Sequence, residues 1–481
     1  MRGDHLGALC NLGKLLRTRR QGDRLRMNAG LQAQAPRFGR YRRYFGRAAG
    51  TTALPWDLLE RLGGAMAFND CADSVGEVPA GYTYLGQFIF HDLSWMAPGP
   101  TPCEPINQRS AALDLESLFA SGSPASLACG ATTDGQPCDI PRTAVGVPLI
   151  ADTRNDSNLA LAQTHVALLR FFDAVSRVTD AQPEAKRLTQ LHFQSVVLHD
   201  YASRVIDDEV YRDVMEHGRA VIHTDGEDFL VPLEFAGACA RFGHSMVRNS
   251  YSWSAMHPGA HLHAFWDNTY NSAVQPITRL TSHWTADWRR LLGVEVGSAE
   301  PTIFAARIGT TLAFPLKNIR PQALPPGTRA VSNLAVRTLQ SGHSLELSGA
   351  QHVHVQVIDR LRRCGRPEFD PLSEQELLDG ESAEVRQVLR ERSPAGPAPI
   401  ECTPLWFYVL KEALVRNQGS KLGPLGSRIV METLHAAVEA AEPSILRSSD
   451  RSGWSTDPRL RPSSPPRYSF ADLVRFSGLA D

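Results

Sequence analysis

Several absences narrow what this chain is. No apolar run approaches the length of a bilayer span, so no transmembrane helix is expected. Neither sign of charge dominates. The 50 basic and 51 acidic residues leave a net charge of -1, which implies no general pull toward nucleic acid or membrane surfaces. None of the eight cysteines forms a C-x-x-C pair, which argues against zinc ribbons and thioredoxin-type centres. Cys103, Cys129 and Cys138 share one loop-like region and would pair only in an oxidising compartment; reduced thiols are the expectation. Convincing period-two β patterns are also scarce.

What is present is helical periodicity. The chain has 481 residues, 42% hydrophobic and 21% charged, the profile of a soluble globular protein. Helices are expected over 53–68, 81–95, 157–178, 184–205, 209–217, 231–249, 350–362, 374–391, 404–416, 422–442 and 469–478. Gly/Pro-rich loops join them, the longest running from Thr101 to Pro141, with another over Gly297–Gly327. Residues 1–35 are basic and read as a disordered extension. Leu6 to Leu9 is too short and broken for a signal-peptide core, so the expected location is cytoplasmic, with non-classical export as the alternative. The expected organisation is one large, mostly α-helical domain over residues 36–481, with little β-structure.

Four segments carry chemistry. In Tyr84–Trp95, Gln87 and His91 stand at i and i+4, on one helical face flanked by large rings. Asp92 is turned about 100° from His91, so one helix serves a pocket and hands a carboxylate to a second site. A buried structural histidine is the plain alternative. In Val231–Val247, read as one helix, Leu233, Gly237, Ala240, His244 and Val247 share a face. A histidine on a stripe of small residues suits a flat macrocycle with an axial imidazole; the alternative is a neighbouring helix seated on the small residues. Arg241, one turn before His244, is placed to reach an anionic group on such a macrocycle. The third segment is Asp152-Thr-Arg154-Asn-Asp-Ser-Asn, a cap-like sequence ahead of a helix through His165. The fourth is Ile106–Phe119. Ser110, Asp114 and Glu116, with the Ala112 carbonyl between them, offer oxygen ligands suited to a hard cation such as calcium, and Asp92 adds a carboxylate.

Taken in order, these segments resemble the animal-type haem peroxidases of the peroxidase–cyclooxygenase superfamily, bacterial members above all. The resemblance runs over roughly residues 36–480 and includes Thr403–Glu412 and Leu422–Val430. It implies that His91 is the distal histidine, Gln87 its companion, Arg154 the distal arginine and His244 the proximal iron ligand. It also implies that calcium sits on Asp92, Ser110, Ala112, Asp114 and Glu116. The implied activity is reduction of hydrogen peroxide coupled to oxidation of small organic donors. A haem-binding protein without efficient turnover and a fatty-acid dioxygenase on the same scaffold are the alternatives.

Three departures sharpen that expectation. Phe90 and Ser157 stand where some relatives carry the carboxylates that bind haem through esters, so non-covalent haem b is expected. Thr338 stands where the family places an asparagine that supports the proximal histidine, and Ser341 replaces an arginine expected near a propionate. Arg241 occupies the position of the cyclooxygenase radical tyrosine, which disfavours that type of fatty-acid oxygenation.

Overall fold

The long amphipathic segments of the sequence become helices, and these build most of the regular secondary structure of the computed structural model. It describes residues 39–46, 54–66, 68–69, 75–122, 124–224, 228–270, 272, 276–293, 301–319, 331–392, 396–447 and 454–480. The expected extension over residues 1–35 lies outside the described residues. The principal helices are α1 (Trp56–Ala65), α2 (Gly81–Leu93), α3 (Leu159–Arg177), α4 (Gln182–Ser195), α5 (Asp208–His217), α6 (Leu334–Ser344), α7 (Ala350–Arg363), α8 (Ala383–Arg390), α9 (Leu405–Asn417), α10 (Pro424–Ala440) and α11 (Phe470–Phe476). Strands are short, and the longest, Val75–Pro79, pairs antiparallel with Phe304–Ala306. No helix among the described residues is long and apolar enough to cross a membrane.

Side-chain caps explain the starts of several helices. Asn158 accepts from the Leu161 amide and starts α3; Asp207 accepts from Glu209 and Val210 and starts α5. α4 runs on through a π-helical turn (Val196–Tyr201) into Ala202–Val205, so the expected 184–205 helix is nearly continuous. Thr101–Pro141 holds only short turns and one two-residue strand, as its composition implies.

Three expectations fail for identifiable reasons. The expected helix 231–249 breaks. A short α-helix covers Leu233–Gly237, Ala238 leaves helical geometry at φ -140° and ψ -70°, and a 3-10 turn covers Cys239–His244. The Ala236 carbonyl accepts from Arg241 Nε at 2.9 Å instead of from a helical amide. The single-face alignment of Leu233, Gly237, Ala240, His244 and Val247 is therefore lost. The expected 374–391 helix splits into Glu374–Leu378 and α8, separated by Gly380 at φ +72° and restarted by the Ser382 cap. α6 has no counterpart among the expected helices, although Asn333 caps it through the Ala335 and Val336 amides.

The packing brings the chemistry-bearing segments together. α2 lies against α3 and against the Cys239–His244 turn, and that turn also meets α9 and α10. α6 packs on α1 and α9. α2 is thus sandwiched in the core, with Leu85, Phe88 and Leu93 fully buried.

Candidate active site

His91 sits in the last turn of α2 and is 8% exposed. Its Nδ1 lies 2.8 Å from Asn155 Oδ1. An amide oxygen only accepts, so the ring proton is on Nδ1 and Nε2 keeps a free lone pair; this tautomer is inferred from the bonding network. Burial, reinforced by the Arg154 charge, pushes the imidazole down to about 4, so it is neutral at physiological pH. Asn155 itself is buried and donates through Nδ2 to Nδ1 of the equally buried His165, 3.1 Å away.

Arg154 is next to His91, but most of its guanidinium is already engaged. Nε and Nη2 bond the Asp152 carboxylate, Nη1 donates to the Ser94 carbonyl at 2.8 Å and Nη2 to the His91 carbonyl at 2.9 Å. These are carbonyls at the C-terminal end of α2, where a cation is also favoured by the helix dipole. One Nη1 hydrogen remains. Arg109 donates to the same His91 carbonyl at 3.3 Å and pairs with Asp152 at 2.7 Å, at an angle too bent for a good hydrogen bond. Both guanidinium groups lie over the Trp95 ring, at 4.9 and 4.6 Å from its centre. Burial pushes the Asp152 carboxyl up, but its bonds to Arg154 outweigh that and hold it well below the usual range. Gln87 accepts from Asn158 Nδ2 at 3.3 Å.

His244 ends the 3-10 turn. Burial, with Arg241 and Arg337 nearby, pushes its imidazole down to about 3. Thr338 Oγ1 donates to the Leu334 carbonyl at 2.8 Å, so its lone pair faces His244 Nδ1 at 3.4 Å, a long bond. This again places the proton on Nδ1 and leaves Nε2 bare, the form that binds a metal. Trp406 of α9 meets the ring edge-on at 6.3 Å and donates to the Arg241 carbonyl at 3.1 Å. Arg241 has no carboxylate partner among the described residues, and burial lowers its guanidinium to about 10. Phe90 of α2 and Phe235 of the His244 segment touch, ring centres 6.2 Å apart. The two histidine-bearing segments therefore share a wall.

The donor set fits a haem. A neutral imidazole with a bare Nε2 and, one turn before it, a half-buried cation with no carboxylate partner among the described residues both agree with it. Phe90 and Ser157 offer no carboxylate for ester attachment.

The expected cation loop is also assembled, though its groups bond one another. Asp92 is fully buried and accepts from the Leu115 amide at 3.0 Å, the Ser117 amide at 2.9 Å and the Ser117 hydroxyl at 2.7 Å. Asp114 accepts from Ser110 Oγ and the Glu116 amide, both at 3.0 Å. The Glu116 carboxylate turns to the Ser110 amide at 2.6 Å, and the Ala112 carbonyl lies 3.4 Å from Ser110 Oγ. Burial raises both aspartic acids, with repulsion from Asp114 adding at Asp92 and repulsion from Glu116 adding at Asp114. Among the described residues, no three His, Cys, Asp or Glu side chains form a metal-binding group. Calcium is thus an expectation that this geometry does not carry.

Arg109, Asp152, Asn155 and His165 carry no individual flag in the sequence. Their only signal is position. Asn155 adjoins Arg154, and His165 stands in the first half of α3, which packs on α2. Behind Thr338 and Trp406 lies a largely apolar cavity of about 260 Å³, which also reaches Leu54, Leu339, Leu347 and Cys402. No sequence feature marks it.

No family model matches the sequence, and no curated protein matches it. Solved structures do. Peroxidase A from Dictyostelium discoideum superposes with a TM-score of 0.56 at 13% identity, covering 84% of this chain and 87% of that one. The fatty acid alpha-dioxygenase of Arabidopsis thaliana gives 0.56 at 11% identity over 92% of this chain and 76% of that one. Its Oryza sativa counterpart gives 0.55 at 10% over 91% and 79%. The chain therefore has the mostly helical fold of these solved structures, as the resemblance implied.

Proposed function

We propose that the chain binds haem b non-covalently through His244 Nε2 and reduces hydrogen peroxide while oxidising small organic donors. The observation that carries this reading is the matched pair of neutral histidines, His91 buried and His244 half-buried. Each has its Nδ1 proton directed at an oxygen, Asn155 Oδ1 or Thr338 Oγ1, and each keeps Nε2 free. Haem would supply the redox centre that takes two electrons, one at a time, from the donor. The rest falls to the protein. His91 Nε2 accepts a proton from bound peroxide and returns it to the departing oxygen; its low affinity for protons keeps it available as a base. Arg154 holds the helix end that aims His91, and its remaining Nη1 hydrogen is the one free to meet a developing negative oxygen. Arg241 would hold a propionate. Calcium on Asp92, Ser110, Ala112, Asp114 and Glu116 enters this proposal through the family resemblance alone; these residues supply oxygen donors of suitable chemistry, which bond one another here.

The apolar cavity behind Thr338 and Trp406 favours a second reading, a fatty-acid dioxygenase, because an acyl chain fits such a lining. One preparation separates the readings. The protein is expressed with haem supplied, and its Soret band is recorded before and after peroxide and a phenol are added. Wild type is expected to show the band and oxidise the phenol. His244→Ala is expected to lose the band, and His91→Ala to keep it with a turnover about 100-fold slower or worse. Full haem in His244→Ala would overturn the ligand assignment. A haem-loaded wild type that leaves the phenol untouched points to haem binding without turnover. Oxygen uptake with a fatty acid and no peroxide points to the dioxygenase.

A further inference from the structure

His165 is fully buried on α3, yet one of its ring nitrogens is unpartnered. Nδ1 accepts from Asn155 Nδ2 at 3.1 Å, while Nε2 has no hydrogen-bond partner. Its ring lies 5.8 Å from that of Phe88, in apolar surroundings where a leucine or phenylalanine would leave nothing unpaired. A buried group kept with one polar atom unsatisfied needs a reason, and its one bond leads to the site. Among the described residues, the Asn155 side chain alone bridges His165 and His91 by hydrogen bonds.

An amide has two unlike ends, so it cannot treat its neighbours alike. With Oδ1 toward His91, that ring must carry its proton on Nδ1, and Nδ2 must find an acceptor on the other side. His165 Nδ1 is that acceptor. If the amide turned over, Nδ2 would donate to His91, whose proton would move to Nε2, and His165 would become the donor. The protonation pattern of the second histidine is thus tied to that of the first through one rigid side chain. Asn155 is in turn held by its amide, which donates to the Asp152 carbonyl at 3.0 Å.

We infer that Asn155 and His165 are positioning residues that set the tautomer of His91, holding its proton on Nδ1 so that Nε2 faces the site as a base. This deepens the peroxidase reading and rests on it for its consequence, although the tautomer is a property of the protein alone. Asn155 grips the imidazole. His165 Nδ1 takes the other end of the amide, so the proton positions of the two imidazoles are fixed together. Neither touches substrate.

The tautomer is read by nitrogen NMR on haem-free protein labelled with 15N-histidine, the His91 signals being identified by their loss in His91→Gln. Wild type is expected to show His91 protonated at Nδ1. In His165→Phe the amide loses its acceptor, and the Nε2-protonated form is expected to appear. His165→Gln, which restores an acceptor oxygen, is expected to return the wild-type signal. In the haem-loaded protein, the second-order reaction with peroxide is expected to fall on the order of tenfold in His165→Phe and to recover in His165→Gln, with haem content unchanged. An unchanged His91 tautomer in His165→Phe would overturn the inference, whatever the turnover. Should that variant fail to fold, Asn155→Leu is measured instead, and a His91 signal identical to wild type there overturns it equally. If the protein takes up no haem, the peroxidase reading falls, while the NMR result still decides the His91–Asn155–His165 coupling.

Discussion

The residues around His91 work as a network centred on the fully buried Asp152. It faces two guanidinium groups that also clasp the end of α2. Removing it leaves both cations without their carboxylate. Asp152→Ala is expected to cost about 3–5 kcal/mol in urea unfolding. A loss under about 1 kcal/mol would show that the carbonyls alone satisfy the arginines. On the other side, the Thr338 hydroxyl is a distant acceptor for His244. Thr338→Val keeps the shape and removes the oxygen. It is expected to weaken haem binding by roughly 10–100-fold in a titration followed at the Soret band, as loss of a partner to a metal-bound histidine generally does. Equal affinity would mean that the 3.4 Å contact contributes nothing. At this scale the sequence was informative about charge-bearing residues within recognisable motifs, such as His91, Arg154 and His244. It was silent on Asn155 and His165, because an asparagine and a helical histidine have ordinary structural uses and only their distance to His91 distinguishes them.

Among the helices, α1 and α6 make one of the closest approaches. A Cβ on Gly63 would come within 2.7 Å of the Val336 backbone nitrogen. That neighbour is main chain and cannot swing aside, so Gly63→Ala is expected to destabilise the protein by about 1–3 kcal/mol in thermal or urea unfolding. A neutral result would show that the two helices separate freely. Because α6 carries Thr338, the same substitution is expected to weaken haem binding in step with stability. Helix positions were largely readable from periodicity. The break at Ala238 was not, because Arg241 reaches back to the Ala236 carbonyl, a bond that no propensity scale contains. α6 was missed for the opposite reason: its polar residues dilute the periodicity, while its Asn333 cap was visible in the sequence.

Over the whole molecule, buried titratable groups set opposing pH dependences. Burial lowers His91, His165, His192 and His199 to about 4 and His244 to about 3, against an ordinary value of 6.5. Between those values the unfolded chain holds more protons than the folded one. Their contribution to stability is therefore complete above pH 6.5 and is lost as pH falls toward 4. Asp92, Asp114 and Glu412 are raised by burial, Glu412 to about 7, so the folded form holds their protons and this contribution is lost as pH rises toward 7. Counting also the lowered His257, His343, His354 and His435 and the raised Asp156 and Glu234, nine imidazoles stand against five carboxyls among the described residues. The haem-free protein is therefore expected to be less stable at pH 5 than at pH 7 by urea titration; the reverse order would mean that the carboxyls dominate. If calcium binds the Asp92–Asp114 pair, it must find them ionised. Calcium is then expected to raise the melting temperature clearly at pH 8 and little at pH 5, and equal shifts at both would remove the pair from its binding.

The sequence by itself determined the mostly helical architecture, the two histidine-bearing segments and the absence of carboxylates for ester-bound haem. Those follow from local periodicity and residue chemistry, which need no partner to be read. Tertiary structure decided the rest. It put the proton of each site histidine on Nδ1, divided Arg154 between Asp152 and the carbonyls ending α2, split the His244 helix and linked His91 to His165 through one amide. Each of these is a contact between residues distant in sequence or a bond set by geometry, and neither leaves a trace in residue spacing.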